Sequence, residues 1–138
     1  MSEENVEIVR RIYTERLIDR NPKRLLDHFA SPDIEYVDPA VADYPGTRRG
    51  RVEVMLAMRR ARQSFPSYRH ELHELFDLRD VVVAAVRFHA TPPRRGAGKL
   101  EVIEEEEAHT WTFRDGKVIR FEWGRDLKAA LEAAGLSE

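Results

Sequence analysis

Apolar side chains fall at Val6, Val9, Tyr13 and Leu17, three and four residues apart. That spacing predicts an amphipathic helix, begun near Ser2 with Glu3 and Glu4 at the positive end of its dipole. The pattern restarts in "DRNPKRLLDHFA", where Asn21 can cap, Pro22 suits a first helical turn, and Leu25, Leu26 and Phe29 form the buried side. "SPDIEYVDP" changes to alternation, with Ile34, Tyr36 and Asp38 on one side of a short strand. A third helix, "RVEVMLAMRRARQSF", carries Val52, Met55, Leu56 and Met58 and stops before Pro66. From there the period is two. Strands are predicted near Tyr68 to Leu78, Val81 to Thr91, Leu100 to Phe113 and Lys117 to Trp123. Residues 78–80 and 114–116 read as tight turns, 91–99 as a longer one, and "DLKAALEAAGL" as a terminal helix stopped by Gly135.

Helices segregated from an antiparallel meander make an α+β fold. The expected form is a curved antiparallel sheet, mixed at its edge, wrapped around three N-terminal helices, with a short C-terminal helix. A long sheet twists, and helices on its concave side leave a cone with a pocket at the open end. Val81 to Val86 is apolar on both faces, so the outer face needs a cover, most simply a second copy in a homodimer.

Composition narrows the function. The 138 residues suffice for one domain, 1–138. A net charge of -2 gives no electrostatic reason to bind nucleic acid or an acidic membrane. Arg48, Arg49, Arg51, Arg59, Arg60 and Arg62 cluster, but acids balance them, and they read as a solvated face. The chain has no cysteine, hence no disulfide and no thiolate chemistry, and a cytoplasmic location is expected. The polar, acidic start is unlike a signal peptide, and no apolar run is long enough to span a bilayer.

Candidate chemistry centres on "YVDPAVADYPGTRRG". Asp38 ends a strand before Pro39 and an irregular loop. It is either a turn-forming aspartate bonded to nearby backbone or a general base at the mouth of a pocket. His109 shares a strand face with Trp111 and Phe113, so that face is expected inside. Glu105 and Glu107 lie on it too, which makes a carboxylate and histidine metal site with His70 or His89 thinkable. The reading adopted is no metal, with the run Glu104 to Glu107 either keeping a sheet edge from aggregating or pairing Arg87, Arg94 and Arg95.

The element order, with "RRIYTERLIDRNPKRLLDHFASPDIEYVDP" early and "HTWTFRDGKVIRFEW" late, resembles the nuclear-transport-factor-like cone fold. Within it the chain resembles the SnoaL-like and ketosteroid-isomerase-like branch. The resemblance implies that Asp38, before Pro39, matches the proton-shuttling aspartate and Tyr13 the helical tyrosine, with Asn21 keeping the spacing. Where a protonated acid belongs, the chain has His109, or Ala108 if the register shifts by one. The implied chemistry is cofactor-free removal of a proton α to a carbonyl, with Asp38 as base and Tyr13 and His109 as donors to the enolate oxygen. Val9, Leu17, Tyr36, Met55, Trp111 and Trp123 are expected to wall a pocket for a small hydrophobic or carbonyl-containing molecule. The late-strand aspartate of SnoaL-like cyclases has no counterpart here. Of the epoxide-hydrolase arrangement only the arginine of "RFH", Arg87, survives. The alternatives are a non-catalytic binding module and a dimerising protein whose cone is plugged by its own aromatics.

Overall fold

A left-handed residue shapes the first part of the chain. In a computed structural model, which describes residues 2–42, 44–91 and 103–135, helix α1 (Ser2–Thr14) ends two residues before Arg16, whose φ is 53°. That conformation is costly outside glycine and breaks the predicted continuous stripe. The chain restarts as one helical turn, α2 (Leu17–Arg20), so Leu17 belongs to a new element. Asn21 then accepts a hydrogen bond from the Arg24 N–H at 3.2 Å, the expected cap, and opens α3 (Pro22–Arg24). A wider π-helical turn, Leu25–Phe29, buries Leu25, Leu26 and Phe29 before β1 (Ala30–Asp38) begins.

The rest follows the predicted order, with one addition. Gly46–Arg49 forms a short edge strand, β2, antiparallel to β1, where the sequence suggested only loop. Then come α4 (Arg51–Gln63), β3 (Ser67–Asp77), β4 (Val81–Thr91), β5 (Ile103–Arg114), β6 (Lys117–Gly124) and α5 (Leu127–Ala133). The sheet order is β2-β1-β6-β5-β4-β3, antiparallel except for the parallel pair β1 and β6. Asp115 and Gly116, both with positive φ, make the turn between β5 and β6. The long turn expected over 91–99, beyond Thr91, and the expected strand start at 100–102 lie outside the described residues.

The core lies between the helices and the concave face of the sheet. Val9, Ile12, Leu26, Ile34, Val54, Val82, Val86 and Trp111 are all fully or almost fully buried there. On α4 the inward residues are Val54, Ala57 and Met58, while Val52 is 73% and Leu56 45% exposed. At about 100° per residue, positions 52 and 56 point away from 54, 57 and 58, so the apolar residues of this helix do not all share one face. The convex face is also less bare than "VVVAAV" suggested. Helix α5 packs against β4 and β5, and Val83 and Ala108 are buried within the single chain. Arg87 pairs with Glu104 and Glu106 and Arg120 with Glu122 among the described residues.

One measurement checks the phase of α4. Leu56→Ala is expected to change unfolding free energy by less than about 0.5 kcal/mol. The same replacement at Leu26, only 1% exposed, is expected to cost about 2–5 kcal/mol by denaturant titration.

Candidate active site

The concave face and α4 enclose a cavity of about 290 Å³ that opens to solvent beside the loop after β1. That is near the lower end of the range for small-ligand sites, which suits a one- or two-ring molecule better than a large polycycle. Its floor is a line of rings: His70 meets His109 at 5.1 Å between centroids, His109 meets Phe121 at 5.1 Å, and Phe121 meets Tyr36 at 5.3 Å. At the mouth, Arg60 stacks over Tyr44 at 4.5 Å.

Asp38 stands on the wall at the end of β1. Its Oδ1 accepts a hydrogen bond from Trp123 Nε1 at 2.6 Å, and its Oδ2 accepts one from Arg48 Nη1 at 2.8 Å. The parallel pairing of β1 with β6 brings Trp123 alongside, and the β2 hairpin supplies Arg48. The Asp38 side chain is only 14% exposed. Burial raises its pKa above the ordinary carboxylate value, and Trp123, Arg48 and Arg60 offset only part of that.

Behind the floor runs a buried polar chain whose protons can be assigned. Trp111 Nε1, which can only donate, gives a hydrogen bond to the Tyr13 hydroxyl at 3.0 Å. Tyr13 lies 2.5 Å from His109 Nδ1, so its own hydrogen goes there. Nδ1 is therefore the acceptor, and His109 carries its hydrogen on Nε2, which donates to Glu107 Oε1 at 2.8 Å. The electrostatics agree. Burial lowers the His109 pKa, keeping the ring neutral, and burial raises that of the Tyr13 phenol. Burial also pushes the Glu107 carboxyl up, but the His109 hydrogen bond and nearby positive charge carry it below its ordinary value.

His70 Nε2, Glu107 Oε1 and His109 Nε2 lie within 4.8 Å of one another, the spacing of a metal-ligand set. In the hydrogen-bonded arrangement His109 Nε2 has no lone pair to offer. Turning its tautomer would leave the Tyr13 hydrogen without an acceptor among the described residues. The cluster fits a proton chain better than a cation.

Of the residues singled out from sequence, Asp38, Tyr36, His109 and Trp123 line the cavity. Tyr13 and Trp111 sit one layer behind, joined to His109, and the hydrogens of Tyr13 and His109 are spent inside the wall rather than aimed at a ligand. Val9 on α1 and Leu17 on α2 are core residues and do not line the cavity. Met55 packs on the core one turn from the opening, and Met58 takes the wall position expected of it. Sequence reading passed over Arg48 and Arg60, which were taken as solvated, and gave Asp19 and Tyr68 no role. It weighed His70 only as a metal ligand. The alternation Tyr68, His70, Leu72 on β3 was the available signal.

These features define a cone-shaped α+β pocket protein. The chain belongs to the SnoaL-like family, whose SnoaL-like domain pattern matches residues 9–121. No curated protein matches. Among solved structures, an NTF2-like protein from Burkholderia thailandensis is 26% identical, with a TM-score of 0.73 over 96% of this chain and 98% of that one. TerC, co-crystallised with polyporic acid, is 24% identical at a TM-score of 0.72, covering 96% of this chain and 99% of TerC. A protein with a ketosteroid isomerase-like fold from Catenulispora acidiphila, in complex with trimethylamine, is 20% identical at a TM-score of 0.70, covering 95% and 94%. At such identities the shared property is the fold.

The proton assignment is directly measurable. Nitrogen-15 NMR of the imidazoles is expected to show His109 neutral and protonated at Nε2 near pH 7. Tyr13→Phe removes the hydrogen that fixes this tautomer and strands the Trp111 N–H, at an expected cost of about 1–3 kcal/mol in unfolding free energy.

Proposed function

We propose that the protein transfers a proton on a small, partly apolar carbonyl compound, with Asp38 as the base that takes a hydrogen from the carbon next to the carbonyl. The observation that carries this reading is the Asp38 carboxylate itself. It lines a cavity of mainly apolar surface, is mostly shielded from solvent, and is a stronger base than an exposed aspartate because burial disfavours its charge. Trp123 and Arg48 hold both of its oxygens, which fixes the carboxylate and favours its ionised form. The polyporic acid bound in crystals of TerC supports a small organic molecule as occupant of such a cone.

Pure ligand binding is the second reading, and the Arg48 ion pair is what favours it. A carboxylate held by an arginine can serve simply as part of a polar rim.

Exchange of α-hydrogens separates the two. With 2-tetralone as probe in heavy water, the wild type is expected to accelerate deuterium incorporation, followed by NMR. Asp38→Asn is expected to lower that rate about 10²–10⁴-fold. The raised pKa means the base form is lost as pH falls, so the acid limb should lie above the ordinary aspartate value of about 3.9. Equal exchange by the wild type and Asp38→Asn would remove Asp38 from this role and leave a binder.

A further inference from the structure

His70 stands on the cavity floor with one ring nitrogen that the buried polar chain does not use. It projects from β3, with its side chain 12% exposed, and Asp19 of α2 grips it twice. The His70 backbone N–H donates to Asp19 Oδ2 at 3.0 Å, and ring Nδ1 donates to Oδ1 at 2.6 Å. Asp19 is 3% exposed at its side chain, and Arg16 Nε lies 3.7 Å from its Oδ2. The left-handed Arg16 that ends α1 is what turns Asp19 inward beneath β3. A residue held at positive φ without being glycine is a strained feature that a functional site can explain.

The consequence is directional. With Nδ1 held by a carboxylate, Nε2 is turned toward the cavity. Its nearest protein acceptor, Glu107 Oε1, is 3.6 Å away, beyond a hydrogen bond. The groups facing the ring are Asp19 and Arg16 from the helical side, Glu107 and His109 from β5, Tyr68 on its own strand, and the apolar Phe88 of β4 at 5.1 Å between centroids. A carboxylate-held histidine with one free nitrogen in a cavity is the arrangement of a general acid and base.

We infer that His70 is the second catalytic residue of the cavity, with Asp19 as its positioning residue, and that its Nε2 serves the substrate's carbonyl oxygen. This rests on the reading of Asp38 as the carbon base. In the step, Asp38 takes the α-hydrogen, the C–H electron pair becomes the new C=C bond, and the carbonyl π pair moves to oxygen. Nε2 of the doubly protonated ring supplies the hydrogen of the new O–H bond. The product is an enol, with Asp38 neutral and His70 reduced by one proton. Return of the hydrogen from Asp38 to the same carbon, and of the hydroxyl hydrogen to His70, restores the ketone with no net proton change. The substrate class is therefore a small ketone, or its enol, oriented with oxygen toward β3 and its acidic carbon toward β1. Tyr13 and His109 support this from behind by holding Glu107 beside the same oxygen site.

A phenolate imitates the enolate oxygen, and 4-nitrophenol reports its own ionisation by visible absorbance. The wild type is expected to bind it as the anion. His70→Gln is expected to weaken that binding about ten- to a hundredfold, the value of one charge-assisted hydrogen bond. Asp19→Asn is expected to weaken it less and to move its pH profile, which a merely structural residue would not do. In the folded wild type, the His70 imidazole nitrogen resonances should shift on adding 4-nitrophenol. A folded His70→Gln variant binding as well as the wild type, or unmoved His70 resonances, overturns this inference and leaves the Asp38 reading standing. No binding by the wild type overturns the oxygen site altogether, while deuterium exchange still judges Asp38 by itself.

Discussion

The hydroxyl of Tyr13 has one hydrogen to give, and Trp111, a donor itself, leaves His109 as its recipient. From that constraint the orientation of the inner wall follows. His109 must receive at Nδ1 and donate at Nε2, and Glu107 must be the acceptor, with the His109 hydrogen bond and nearby positive charge favouring its charged form over the effect of burial. A charged, deeply buried carboxylate is expensive unless its surroundings supply donors. The sheet supplies them by placing Glu107, His109 and Trp111 at alternate positions of β5, all facing the helices. The helix that carries Tyr13 and the strand that carries its partners thus depend on each other for more than apolar packing.

How much of this could be read from the chain depends on the range of the signal. Helix and strand periods are local, so α1, β1, α4 and the meander were legible, as were the Asn21 cap and the shared inward face of Glu105, Glu107 and His109. Three things were not. The edge strand β2 consists of Gly46, Thr47, Arg48 and Arg49, a composition that describes a loop until its pairing with β1 is seen. The inward face of α4 was not legible because small Ala57 shares it with Val54 and Met58 while larger Val52 and Leu56 point out. The Asp19 and His70 pair joins residues 51 positions apart, and the turn at Arg16 that makes it carries no glycine to announce it.

The cavity divides chemically along the sheet. Toward β1 it offers a carboxylate held by an indole N–H and a guanidinium; toward β3 it offers an imidazole held by a carboxylate. Between them lie the rings of His109, Phe121 and Tyr36, of which His109 gives its hydrogen to Glu107. A wall with different polar groups at its two ends tells the ends of an unsymmetrical molecule apart, because a misplaced polar group would lose its partner.

The indole that holds Asp38 enters the chain 85 residues after it, on a strand that lies between β1 and β5, parallel to β1 and antiparallel to β5. During synthesis the early helices and the first hairpin are therefore made well before the seat of the carboxylate exists. Contacts of such separation require a long loop to close first, which makes them slow to form. Docking of this final strand is thus the event that turns an assembled scaffold into a competent pocket.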